Sequence, residues 1–328
     1  MLPVWDYGWS YAQKQAAMRL GQLATHVRCA RHGWCEVFGH VDLDVSGTPC
    51  QDVSSANNNR LGVEGPNNHV CLAWCRLNTL RRTKLLFHEC VTGNPWEVTL
   101  QPNLPLHSLY PIVTQPSQFM HSWMRRLRQY VFGAEQSLAT VNFDIHNALD
   151  RVIGRMSSCC TLASDGFVAP LAEINQEAAH LSAVRGLHFV PFSRLDDVNL
   201  RFTLSPKEAE YEVYYTAQWW NRHHPKCKWD DLVVGLNDNP RNRLIWSAVN
   251  GQLPTLRTGT NRLWVPSKNR WVTLGERMSY MGFPVYTTTS ALALNRPAVL
   301  SSRMAGNAMH LVNLMCVLTT CLCCTRLV

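Results

Sequence analysis

Residues 41–50 constrain the fold more than any other stretch of this chain. Val41-Asp42-Leu43-Asp44-Val45 alternates apolar and acidic side chains, the two-residue period of a short strand with one face buried. Gly47-Thr48-Pro49 then breaks that strand into a turn. Cys50 therefore stands just past the C-terminal end of a strand, in a Pro-Cys-Gln tripeptide that enters a small-residue loop. In open α/β sheets the loops at that edge converge on one crevice, which marks Cys50 as a candidate nucleophile. The plainer reading is one more buried thiol, because free cysteine is among the most buried residue types and the chain has 13 of them.

The residues downstream of Cys50 decide between these readings. Lys84-Leu85-Leu86-Phe87-His88 reads as a second buried strand ending on Glu89-Cys90-Val91. Met124 to Gly133 reads as a third, with Arg126 and Arg128 two apart and so on one face. Further on lie Leu253-Pro254-Thr255-Leu256, Thr273-Leu274-Gly275-Glu276, Gly282-Phe283-Pro284 and Gly306-Asn307. Taken singly each is ordinary. Glu89 is a charge at a strand end, Arg125, Arg126 and Arg128 are a solvated or phosphate-contacting face, Gly282-Phe283-Pro284 is structural, and Asn307 is a helix-entry residue at a cap position.

In this order the set resembles the cytosine-5 DNA methyltransferase family, whose motifs run Pro-Cys-Gln, Glu-Asn-Val, Gln-x-Arg-x-Arg, Gly-Phe-Pro and a closing Gly-Asn. The resemblance covers residues 41–318. It implies an α/β fold: a Rossmann-like, S-adenosylmethionine-dependent methyltransferase lobe with a smaller target-recognition insert. The segments it implies are an N-terminal helical part (1–35), a catalytic lobe (36–134), the insert (135–252), and a return to the first lobe with a C-terminal helix (253–328). It further implies that the Cys50 thiolate adds to carbon 6 of a cytosine flipped out of the stack, that Glu89 engages ring nitrogen 3, and that Arg126 and Arg128 flank the 2-carbonyl. Thr48, Pro49 and Asn307 fall at cofactor positions and Gln51, Ser54 and Arg60 at substrate positions. The implied partner is DNA, with RNA as the alternative, since a tRNA-methylating branch uses the same residues.

The departures are specific. The family opens with a strand and a glycine-rich Phe-x-Gly-x-Gly loop for the cofactor, and residues 1–40 contain neither, which reads as a lobe truncated at its N-terminus. A helix is expected instead from Ser10 to about Arg28. Cys90 replaces the family's Asn, and no Gln opens the arginine motif near Met124. A catalytically inactive, nucleic-acid-binding derivative therefore stands as the alternative to an enzyme.

At 328 residues, with 46% hydrophobic and 16% charged residues, the chain can bury a sizeable core. Its first residues lack the pattern of a signal peptide, and the apolar run Leu311 to Leu322 is too short to span a bilayer. That run reads as a buried terminal helix, with no membrane partner. The odd cysteine count then points to reduced thiols in nucleus or cytoplasm rather than secretion. Cys71 and Cys75, four apart, read as one buried helix face. Cys29, His32 and Cys35 have ligand-like spacing, but no second Cys-x-x-Cys pair completes a four-ligand set, so no metal is expected.

Net charge is +8, the sign a polyanion binder prefers. Residues 135–252 hold 11 Lys and Arg against 14 Asp and Glu, and the remainder 20 against 9. The basic surplus thus lies outside the expected insert, leaving base reading there to local patches such as Trp219-Trp220-Asn221-Arg222.

Overall fold

The computed structural model describes residues 8–54, 57–120, 123–156, 163–256, 262–286 and 306–328. The chain forms two compact units, one from residues 1–114, 127–152 and 315–328, the other from 115–126 and 153–314.

The first unit opens with α1 (Tyr11–Leu20), started by a capping box in which Ser10 and Gln13 satisfy each other's backbone amides. The helix stops at Gly21, well short of the expected end near Arg28. Residues 26–36 form instead an antiparallel hairpin of β1 (His26–Cys29) and β2 (Gly33–Glu36). The reason is local: Gly33 at φ 78° permits the tight three-residue connection that a helix would preclude. The N-terminal segment is thus helix plus hairpin, not wholly helical.

The α/β class holds. β3 (Leu43–Gly47), β4 (Leu85–Val91), β5 (His107–Thr114) and β6 (Arg128–Glu135) form a mixed four-stranded sheet in the order β3-β4-β6-β5. β3 and β4 are parallel, joined through α2 (Asn68–Arg81), while β6 runs antiparallel to both neighbours. Cys71 and Cys75 lie on the buried face of α2 as expected, packed with Leu86, Val131, Leu100 and Leu104. The short helix α3 (Trp96–Thr99) leads toward β5. β7 (Ala139–Val141) and α4 (Ile145–Met156) follow β6.

One expected strand is shorter than its pattern. β6 begins at Arg128 rather than Met124, so Arg126 and Arg128 do not share a strand face. Met124 bridges Leu253 instead, the Arg125 amide donates to the Leu253 carbonyl (3.1 Å) and Thr255 Oγ1 donates to the Arg125 carbonyl (2.5 Å). The Leu253-Pro254-Thr255-Leu256 element pairs with this stretch, and β4 ends at Val91, opposite Arg128, with no residue left to pair with it.

In the second unit α5 (Leu171–Val184) and α6 (Pro206–Arg222) pack with the antiparallel strands β8 (Val234–Gly235), β9 (Leu263–Val265) and β10 (Arg270–Trp271). Trp219 is buried in this core, whereas Trp220 is 57% exposed. α7 (Leu274–Tyr280) starts at a Thr273/Glu276 capping box, and Gly282, at φ 82°, turns the chain where a Cβ would meet Val312 at 3.0 Å. That close approach gives Gly282-Phe283-Pro284 a structural role.

The terminal helix, α8 (Leu311–Cys323), begins four residues after Asn307, with His310 Nδ1 accepting from the Asn313 amide at its start. β11 (Thr325–Leu327) then pairs antiparallel with β7. No helix among the described residues is long and apolar enough to cross a membrane.

Candidate functional site

The parallel register of β3 and β4 sets Gly47 opposite Glu89. Thr48, Pro49 and Cys50 therefore leave the sheet at the edge where Glu89 stands. On the next strand Arg128 is opposite Val91 and Tyr130 opposite Glu89. Positions two apart share a sheet face, so Arg128 and Glu89 are diagonal neighbours, and they form an ion pair at 2.9 Å (Nε to Oε1). Both side chains are largely buried, 13 and 12% exposed, and the Arg128 Nη1 also donates to its neighbour's carbonyl, Leu127 (2.8 Å). Cys90, the next residue along β4 and on the opposite face, is buried; burial first, then the nearby Cys50 and Glu89, pushes its thiol far above the ordinary range. Cys90 is thus a neutral neighbour of Glu89.

The loop holding Cys50 is fixed at both ends. On the strand side Thr48 Oγ1 lies 2.9 Å from His88 Nε2. The His88 ring, 1% exposed, rests against Trp74 with centroids 5.0 Å apart, and Trp74 donates to Asp44 (2.8 Å). Burial holds the His88 imidazole down at about 4, against the opposing pull of Asp44, so it is neutral at physiological pH. On the far side the Val53 and Ser54 amides donate to the Cys50 carbonyl (3.1 and 2.8 Å). Asp52 turns inward and accepts from the Asn67 backbone amide (2.7 Å) and side chain (3.1 Å). Its carboxylate fills the space over Gly65, where a Cβ would meet Asp52 Cγ at 2.1 Å. Cys50 is half-buried, Gln51 and Arg60 are exposed, and Ser54 is half-buried.

Arg126 and Asn307 belong to the second unit. Arg126 is buried at 3% exposure and donates from Nη2 to the carbonyl of Ala308 (2.7 Å), the residue after the exposed Asn307. Two motifs 182 positions apart therefore meet through that bond. Of the predicted residues, Thr48, Pro49, Cys50, Gln51, Ser54, Arg60, Glu89 and Arg128 stand in one unit, and Arg126 and Asn307 in the other.

Three residues shape the loop without having stood out in the sequence: His88, Asp52 and Gly65. Asp52 lies only two residues past Cys50, and a carboxylate succeeded at some distance by Pro-Asn-Asn is the one signal available.

The folded pKa of His88 lies below its ordinary 6.5, so the unfolded chain binds the proton first as pH falls. Stability from the neutral imidazole is full above about 6.5 and is lost as pH drops toward about 4, a loss on the order of 3 kcal/mol. Urea midpoints measured between those limits should fall steeply in the parent protein and more shallowly in His88→Gln. Equal slopes would exclude His88 as the source. Separately, Gly65→Ala should displace Asp52 from Asn67 and cost about 1–3 kcal/mol. Faster amide exchange in residues 50–54 is the readout, and an unchanged rate would show that Asp52 does not clamp the loop.

No protein-family model and no curated protein matches this chain. Among solved structures it is similar to a putative DNA modification methyltransferase encoded within an E. coli prophage (TM-score 0.49, 16% identity, 85% of this chain and 78% of that one). It is also similar to a Spodoptera frugiperda DNMT2 mutant (0.42, 14%, 86% and 80%) and to S. pombe Dnmt2 methyltransferase (0.40, 13%, 96% and 80%).

Proposed function

We propose that the chain is a cytosine-5 methyltransferase acting on DNA, with Cys50 as nucleophile. The observation that carries this reading is the Glu89–Arg128 ion pair at the sheet edge where the Cys50 loop departs. A carboxylate held by a guanidinium beside a cysteine loop suits activation of a pyrimidine ring. The Cys50 sulfur forms a bond to carbon 6, the carbon 5–carbon 6 electron pair moves onto carbon 5, and Glu89 stabilises the ring through nitrogen 3. S-adenosylmethionine, when bound, would supply the electrophilic methyl group to that carbon 5 pair, its sulfur keeping the electrons of the broken sulfur–methyl bond. Loss of the carbon 5 proton restores the double bond and expels the Cys50 thiolate. Arg128 positions Glu89, Arg126 supports the segment bearing Asn307, and Gln51, Ser54 and Arg60 contact the nucleic acid.

The fit to the cofactor is incomplete. Thr48 is engaged with His88, and the described residues before β3 form α1 and a separate hairpin rather than a sheet strand with a glycine loop. That leaves Thr48 and Pro49 in the first unit to hold the methyl donor, and it favours a second reading, a nucleic-acid-binding protein without transfer activity. Calorimetric titration of the purified chain with S-adenosylmethionine separates the two. Micromolar binding, with methyl transfer to a DNA duplex, is the expected result. Absence of binding would leave the second reading, and transfer to tRNA but not DNA would reassign the substrate.

A further inference from the structure

The hairpin of β1 and β2 carries a side-chain cluster that has no part in methyl transfer. Val27 is paired with Cys35, so Cys29, two residues on from Val27, projects from the same face as Cys35. His32, in the connection, folds back onto that face. Its Nδ1 lies 3.7 Å from the Cys29 sulfur and 3.8 Å from the Cys35 sulfur, and the three donor atoms all lie within 4.8 Å of one another.

These separations are those of ligands around an ion. With zinc–sulfur bonds of about 2.3 Å, zinc–nitrogen bonds of about 2.05 Å and tetrahedral angles, the sulfur–nitrogen edge comes to about 3.6 Å. Both sulfurs are free thiols rather than a disulfide. The hairpin also lacks a core of its own. Val27 and Trp34 are 49 and 70% exposed, and among the described residues β1 and β2 pair only with each other. A two-stranded hairpin is marginal in water by itself, and a metal cross-link between its strands supplies what side-chain packing does not.

We propose that Cys29, His32 and Cys35 bind a zinc ion that fixes the hairpin, with water in the fourth position. The donor set of two thiolates and an imidazole selects zinc over the hard cations magnesium and calcium, which take oxygen ligands. Water is assigned because no fourth His, Cys, Asp or Glu joins the group among the described residues. This reverses the expectation of no metal, which rested on counting Cys-x-x-Cys pairs along the sequence.

The test uses the full chain, purified reduced and dialysed against zinc, then measured for bound metal by mass spectrometry. About one ion per chain should remain, and cobalt substituted for it should show the thiolate charge-transfer and intense visible bands of a four-coordinate site. Cys29→Ser/Cys35→Ser should lose the ion, and His32→Ala should bind it at least roughly tenfold more weakly, no less than loss of an outer-shell partner costs. Should the double variant not fold, alkylation of the parent chain decides: zinc should protect Cys29 and Cys35. Equal labelling with and without zinc, metal retained by the double variant, or a Cys29–Cys35 disulfide in the reduced protein would overturn the site.

Discussion

Replacing Cys50 by serine should reduce methyl transfer by at least roughly 10³-fold, equivalent to about 4 kcal/mol in the barrier, while nucleic-acid binding stays within about twofold of the parent. The half-buried Cys50 is fixed through its backbone: the amides of Val53 and Ser54 close on its carbonyl and Asp52 anchors the turn. At Cys50 those bonds join backbone groups, which serine also offers, so they persist in the variant. What changes is the proposed nucleophile, since a hydroxyl is far less reactive than a thiol toward an unactivated ring carbon. DNA carrying 5-fluorocytosine sharpens the experiment. Once the methyl has been added, fluorine at carbon 5 cannot leave as the proton does, so with S-adenosylmethionine present attack by Cys50 should end in a trapped protein–DNA adduct, absent from Cys50→Ser. Transfer surviving in that variant would remove Cys50 from the chemistry. Binding lost together with transfer would mean that the substitution has disturbed the loop, and a faster exchange of residues 50–54 would reveal it.

The parts of this arrangement legible in the sequence are those whose determinants are local. Val41–Val45 alternates, Gly47-Thr48-Pro49 interrupts, and β3 ends there. The apolar run 84–88 needs only its own composition to declare a buried strand, and Cys71 and Cys75 need only helical spacing. Determinants supplied by distant partners are not legible. Arg126 and Arg128 look equivalent along the chain, yet Leu253 takes the backbone groups around Met124 and Arg125, and the strand begins two residues after Arg126. The helix expected to Arg28 ends at Gly21 because a hairpin competes for residues 26–36, and the two strands of that hairpin become compatible only once Gly33 adopts a positive φ. His88 shows no partner in the sequence because its partner, Thr48, lies 40 residues earlier and reaches it only through the β3/β4 register.

The second large effect concerns the other unit. Arg270 and Glu276 form a two-pronged ion pair, Nη1 to Oε2 at 2.8 Å and Nη2 to Oε1 at 2.7 Å, with side chains 5 and 0% exposed. Glu276 also accepts from the amides of Ala169 (3.1 Å) and Thr273 (3.0 Å), and Arg270 donates to the Trp271 carbonyl (3.0 Å). One carboxylate thus caps α7, closes the 163–170 segment and neutralises a buried cation. Burial alone would lower the Arg270 guanidinium, but Glu276 outweighs it and holds it above its ordinary value. Removing one partner leaves the other charged and desolvated, which costs about 3–5 kcal/mol, whereas exchanging both for apolar side chains of similar volume is close to neutral. Glu276→Ala and Arg270→Met should each lower the urea midpoint of the tryptophan fluorescence transition, to which Trp264 and Trp271, with rings 5.0 Å apart, report from the same unit. Arg270→Met/Glu276→Leu should regain part of that loss but not all of it, because the Ala169 and Thr273 amides remain without their acceptor. Single variants costing less than about 1 kcal/mol would place the pair in the range of a solvent-screened surface interaction, and the second unit would then owe its stability to the tryptophan-rich core alone.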